Sequence, residues 1–379
     1  MFLRTFRWSF GITLLGLAAA AYLWGANGFG VVLILSVLEI SLSFDNAVIN
    51  ATVLKRMTPF WQRIFLTVGV LIAVFGMRLI FPLLVVALTA HIGPQTVVSL
   101  ALDSSKTYNG LTYAQHLDAA HPAIAAFGGT FLLMIFLDFV FGEKEIRWLG
   151  PLERGLERIG KLDQLSVIVA LVVLMLSARF FAGAQAETVL LAGVAGLVSY
   201  LVVGGLSNLF ESAGEDEADD DAAGEVGEGE AASGRSGKST LLVAGKAAFF
   251  LFLYLEVLDA SFSFDGVVGA FAISQNIFQI ALGLGIGAVY IRSLTVYLVR
   301  QGTLDDYVYL EHGAHYAIGA LAMILMVSIK YTIPEVVTGL IGVAFIGLAL
   351  LSSMVRNRRE GDGDGEDAEL SAPAHTARL

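Results

Sequence analysis

Leu38-Glu39-Ile40-Ser41-Leu42-Ser43-Phe44-Asp45-Asn46-Ala47-Val48 places two carboxylates, two hydroxyls and an amide inside a long apolar run. The pattern returns as Leu258-Asp259-Ala260-Ser261-Phe262-Ser263-Phe264-Asp265-Gly266-Val267-Val268. Six of the eleven positions are identical, and a seventh keeps its carboxylate. Each copy is followed, one apolar run later, by an arginine: Met77-Arg78-Leu79 and Ile291-Arg292-Ser293. A weaker echo links Gly128 to Asp138 with Gly319 to Lys330.

The surroundings of the two copies set the fold class. Of 379 residues, 56% are hydrophobic and 15% charged, whereas a soluble domain carries roughly 25% charged residues. Ten apolar runs long enough to cross a bilayer as helices lie near 8–26, 29–54, 63–90, 122–142, 165–182, 188–210, 242–272, 278–300, 312–330 and 335–355. Backbone groups in lipid must be satisfied within each segment, so the expected fold is an all-α integral membrane bundle. The first run follows Arg4 and Arg7 and is read as an uncleaved helix. Five crossings separate the two acidic motifs. An odd number sets them in opposite directions, the sign of inverted-topology repeats.

The net charge of −11 comes from two segments. Residues 211–230 hold ten acids and residues 360–369 six, leaving eighteen acids against twenty-three basic residues. With the N-terminus in the cytoplasm, eighteen basic residues fall on the cytoplasmic side and only Lys106 in an outer loop. The positive-inside rule thus predicts a plasma-membrane protein with both termini cytoplasmic. The expected organisation is an extra helix at 1–28, a first membrane half at 29–210 and an acidic disordered linker at 211–240. A second half follows at 241–355, then an acidic disordered tail at 356–379. The segment 143–164 reads as a short interfacial amphipathic helix. His91, His116 and His121, with Asp103 and Asp118, fall in the outer loop, where solvation is the plain reading. Gly283, Gly285 and Gly287 lie inside an apolar run and are expected to admit close helix packing, not phosphate.

A carboxylate near the bilayer centre costs about 2.5–3.5 kcal/mol on insertion scales. Glu39, Asp45, Glu256, Asp259 and Asp265 all lie well inside their runs, facing only Arg78 and Arg292 as mid-span cations. The imbalance favours a bound cation or exchangeable protons over purely structural ion pairs. Glu39, Ser43, Asn46 and Asn50 form one helical stripe, and Ser41 and Asp45 an adjacent one. Either the helix breaks between Ile40 and Asp45 or two faces converge on a central site. The ligands on offer are oxygens from Glu39, Asp45, Asn46, Asp259 and Asp265, supported by Ser41, Ser43, Ser261 and Ser263. There is no cysteine, so the set suits Mg²⁺, Ca²⁺ or Mn²⁺ better than zinc or copper.

"LEISLSFDNAVINA" and "LDASFSFDGVVGAFAIS", each with its trailing arginine, resemble the paired motifs of the TerC family, named for tellurite resistance and part of the LysE superfamily. The resemblance covers roughly residues 30–90 and 250–335. It implies a divalent-metal transporter, Mn²⁺ export above all, with Glu39, Asp45, Asn46, Asp259 and Asp265 as ion ligands. Gly266 departs from the hydroxyl residue usual at that place. The expectation is a non-enzymatic transporter with no permanently bound cofactor, a metal ion as substrate, proton exchange as its coupling, and no nucleic-acid partner. Two other classes remain: a membrane platform for a stress-response complex recruited through the acidic linker, and an intramembrane aspartyl protease. The protease is disfavoured because neither motif is GxGD.

Overall fold

The structure, a computed structural model, describes residues 2–162, 164–223, 243, 245–274, 276–302 and 306–370. It is helical nearly throughout, and the described residues form no strand beyond two isolated bridges, Met57 with Val243 and Tyr108 with Leu111. Among the described residues, seven helical stretches are long and apolar enough to cross a bilayer. The protein is an all-α, multi-pass membrane protein.

The first helix, α1 (Phe2–Leu42), is two arms joined at Gly25, whose φ of 68° and ψ of −162° leave the helical region. Only glycine takes such a conformation without strain. The direction of each arm is fixed by its packing on α11 (Ile277–Gln301). In the first arm Ser9 Oγ lies 2.8 Å from Ser293 Oγ, and Gly16 packs on Ile286 and Leu282. In the second arm Ser36 donates to Gly283 O at 3.0 Å, and Gly287 packs against Glu39. One arm descends α11 while the other ascends it, so Thr5–Ser41, a single apolar stretch of 37 residues, folds back as a hairpin. The two arms match the first two expected spans.

The second arm continues, after a bend at Ser43, into α2 (Phe44–Leu54). The break thus falls inside the expected window, with Ser43 at φ −99° and ψ 18°. The second motif shows no such interruption: α10 (Gly245–Ile273) runs through it. The third span is α3 (Pro59–Ile64), two wide π-helical stretches (Phe65–Gly69 and Ile72–Ile80) and α4 (Phe81–Thr89). After a short α5 (Pro94–Leu102) comes α6 (Tyr113–Phe141), nine residues longer at its start than expected. Its missed signal is a capping box: Thr112 accepts from the Gln115 backbone, and Gln115 accepts from Thr112 N at 2.9 Å. Pro122 lies within the helix.

The bundle is completed by α7 (Gly150–Ile159), α8 (Leu165–Phe180), α9 (Ala186–Ala223), α10, α11, α12 (Leu310–Ser328) and α13 (Glu335–Leu370). Residues 211–223 and 356–370, inside the expected linker and tail, continue α9 and α13. The rest of the linker and tail lies outside the described residues. The largest apolar core gathers α2, α6, α8, α9, α10, α11 and α12 around Phe131, Leu174 and Met134.

The helix α7 is amphipathic, as expected, but its acids face inward. Glu153 is fully buried, accepting from Trp148 N at 3.0 Å and from the Tyr316 hydroxyl at 2.9 Å. Glu157 takes a two-pronged Arg147 contact, which holds its carboxyl below the usual range. Leu152 and Ile159 are exposed instead. Such a face is stable against lipid, where exposed leucine carries no penalty.

Candidate functional site

The two acidic motifs meet across the centre of the bundle. Asn46 donates through Nδ2 to Asp259 Oδ1 at 2.8 Å. A Cβ at Gly266 would sit 3.2 Å from Glu39 Oε2. Moving forward from Glu39 to Asn46 moves backward from Gly266 to Asp259, so the motif helices pack antiparallel. These two contacts are interchanged when each motif residue is replaced by its equivalent: Glu39 with Asp259, Gly266 with Asn46. An isologous contact of this kind is what a two-fold axis produces. Helices α6 and α12 are antiparallel too, with Gly129 against Leu325 and Met326 and Gly319 against Phe136. Backbone pairing of Met57 with Val243 brings the end of α2 beside the entry to α10.

The first acid of each motif meets the arginine that trails it. Arg78, which is 2% exposed, donates through Nη2 to Glu39 Oε1 and through Nη1 to Ala73 O at 2.6 Å. Ser43 adds a hydroxyl to the same Glu39 oxygen at 3.2 Å. Arg292, 1% exposed, lies 3.5 Å from Asp259 Oδ2. Its two forks are taken by Glu256, at 2.9 and 3.0 Å. The guanidinium also lies 4.1 Å over the Phe65 ring, a partner from the third span. Removing one member of such a buried pair costs about 3–5 kcal/mol, because the other charge is stranded.

The halves differ in what holds the trailing arginine. Glu256 stands where the first motif has Ser36, which bonds backbone carbonyls of Val32 and Gly283. Arg292 is therefore held by Glu256, and Asp259 Oδ2 accepts no hydrogen bond. Asp259 is thus the less committed of the two equivalent carboxylates.

Glycines make these approaches possible. A Cβ at Gly69 would strike Arg292 Nη1 and lie 2.8 Å from Glu256 Oε1. One at Gly287 would strike Glu39 Cγ and lie 2.5 Å from its Cβ. Both face the acids, although only Gly287 stood out in the sequence.

Other expected residues are placed differently. Ser41 is exposed and bonds back to Val37 O at 2.8 Å, so it does not line the centre. Ser261 is buried, but its hydroxyl is given to Val257 O at 3.0 Å. The side chains of Asp45, Ser263 and Asp265 lie outside the described residues, while their backbones run in α2 and α10. Among the described residues no three His, Cys, Asp or Glu side chains gather as a metal cluster. His116 is buried, with Nε2 3.1 Å from Tyr108 O.

Fold and centre together define a multi-pass helical membrane protein whose buried acids are countered by arginines. The chain matches, over residues 44–360, the family described as "Protein of unknown function (DUF475)", and belongs to it. The match takes in α2, both arginines and the whole second motif, and begins after Glu39. No curated protein and no solved structure matches the chain.

Proposed function

We propose that the protein is a divalent-cation transporter built from inverted repeats, with Mn²⁺ its favoured ion. The observation that carries this reading is the central crossing of the two motifs. Five intramembrane acids face two guanidiniums, and the acids whose side chains are described are buried at that crossing. Intramembrane carboxylates in this number are costly unless something cationic visits them. Antiparallel motif helices, exchanged contacts and a bent α1–α2 junction support an alternating-access design, in which substrate sits at the repeat interface. Hard oxygen donors without thiolate support Mn²⁺, Mg²⁺ or Ca²⁺. The resemblance to TerC-type motifs supports export, and the basic residues support a plasma-membrane orientation with cytoplasmic termini.

The arginines hold carboxylates in place between transport events. A metal that enters competes with a guanidinium for the same oxygens. Asp259, whose Oδ2 accepts no hydrogen bond among the described residues and is held only by the 3.5 Å ion pair to Arg292, is the first to be offered. The test is ion flux into proteoliposomes with a panel of divalent cations. Wild type should move Mn²⁺, and Asp45→Asn and Asp259→Asn should each lower the rate at least tenfold. Equal flux in wild type and both variants would reject the reading.

A further inference from the structure

Helix α7 lies at the end of the bundle and does not cross it. Its ten residues span about 15 Å, half the apolar thickness of a bilayer. Gly160, just beyond its end, packs against Phe141 O at the end of α6, so the chain returns to the level it left.

The roll of α7 about its axis is fixed by its two acids. Glu153 accepts from the Tyr316 hydroxyl of α12 and lies 3.9 Å from His312 Nε2. Glu157 is gripped by Arg147 at 2.9 Å. At about 100° per residue, the helix carries three stripes roughly 120° apart. Glu153 and Glu157 form the first, Leu152, Leu156 and Ile159 the second, and Arg154 and Arg158 the third. The roll that buries the acids turns the other two stripes outward. Leu152, Arg154, Arg158 and Ile159 are exposed, as are Lys161 and Leu162 just after the helix. Among the described residues 150–162, every exposed charge is therefore positive. The exposed acids Glu143 and Glu145 stand earlier, before Arg147.

We infer that the exposed face of α7 is a binding surface for anionic phospholipid. Leu152 and Ile159 enter the boundary of the acyl chains, and Arg154, Arg158 and Lys161 meet the headgroup phosphates. A helix facing water has no reason to bury two carboxylates while exposing leucines. One lying in the headgroup layer does, because apolar side chains face hydrocarbon there and basic ones face phosphate. Anionic lipid attracts each lysine or arginine held near its surface. The planar guanidiniums of Arg154 and Arg158, one helical turn apart, are suited to taking phosphate oxygens in pairs. The inference needs only the membrane location and stands apart from the transport reading.

The chain has no cysteine, so Gly155→Cys, at a position where an added Cβ meets nothing, takes a single fluorophore. The full chain is placed in phosphatidylcholine nanodiscs containing a lipid spin-labelled just below its headgroup, either phosphatidylcholine or phosphatidylglycerol. Quenching by the anionic lipid should exceed that by the zwitterionic one about threefold in about 0.1 M salt and fall toward parity in about 1 M salt. Arg154→Gln with Arg158→Gln and Lys161→Gln should bring the two lipids to parity without lowering the melting temperature. Arg63→Gln with Arg300→Gln, on other helices, should leave the preference in place. Equal quenching in wild type, a preference that survives the triple variant, or one lost equally in the control would overturn the inference. A label quenched by neither lipid would turn the face toward a soluble partner and overturn it too. So would a preference abolished by inorganic phosphate but not by chloride of equal ionic strength, the mark of a site for free phosphate.

Discussion

Single residues at the centre are constrained by what lies within one atom's reach of them. Arg292 answers Glu256 with two parallel bonds and still lies 3.5 Å from Asp259. Only a planar fork makes that set of contacts, so lysine is no substitute. Gly287 offers the sharpest residue-scale prediction. Its missing side chain is where the Glu39 Cβ and Cγ sit, both anchored to backbone. Gly285, two residues earlier, faces only the Val74 side chain at 3.0 Å, which can turn aside. Gly287→Ala should therefore destabilise the protein by about 1–3 kcal/mol through overpacking, and Gly285→Ala should cost clearly less. Thermal unfolding in one detergent decides between them; equal melting temperatures would count against the α1–α11 approach described here.

At the scale of elements, the hairpin at Gly25 governs how the first motif reaches the second. One unbroken apolar helical stretch runs from Thr5 to Ser41. The opposed packing of its arms on α11 splits it into two crossings. The absence of cysteine makes this testable by cross-linking. Ser9→Cys with Ser293→Cys should form a disulfide on mild oxidation, since the two hydroxyls lie 2.8 Å apart. A control pair, Gly30→Cys with Ser293→Cys, should not, because Gly30 begins the opposite arm. Cross-linking of the control alone would show that the first arm packs elsewhere. The π-helical stretches of the third span belong to this scale too. They carry Gly69 and Arg78 past the centre, while the equivalent run of α11 stays regular. Wide turns of this kind are common at functional sites.

For the molecule as a whole, the balance of charge inside the bundle matters most. Five acids and two arginines leave the membrane interior anionic unless protons or a metal make up the difference. If the proposed transporter reading holds, metal entry should displace protons. Titrating purified protein with Mn²⁺ in weak buffer should acidify the solution, and transport should slacken at acid pH, where protons compete. Asp265→Asn should release fewer protons and bind less tightly. Binding without proton release, and undiminished by Asp265→Asn, would refute metal–proton exchange.

The all-helical class, the repeated motif and the buried arginines were all legible in the sequence. Each rests on composition or local order: apolar length, an eleven-residue match, a lone charge in an apolar run. The opposed direction of the motifs was legible as well, because it follows from counting crossings. Three features waited for the tertiary structure. Ser41 and Ser43 have the same chemistry two residues apart, and only packing decides that Ser43 meets Glu39 while Ser41 turns outward. The amphipathic pattern of α7 does not say which partner its acids meet until Tyr316, 163 residues away in the chain, is found beside Glu153. Gly69 is one glycine among 41 until Arg292 and Glu256 are brought against it. Periodicity fixes which residues share a face, but which face meets which neighbour is settled only when long-range contacts close.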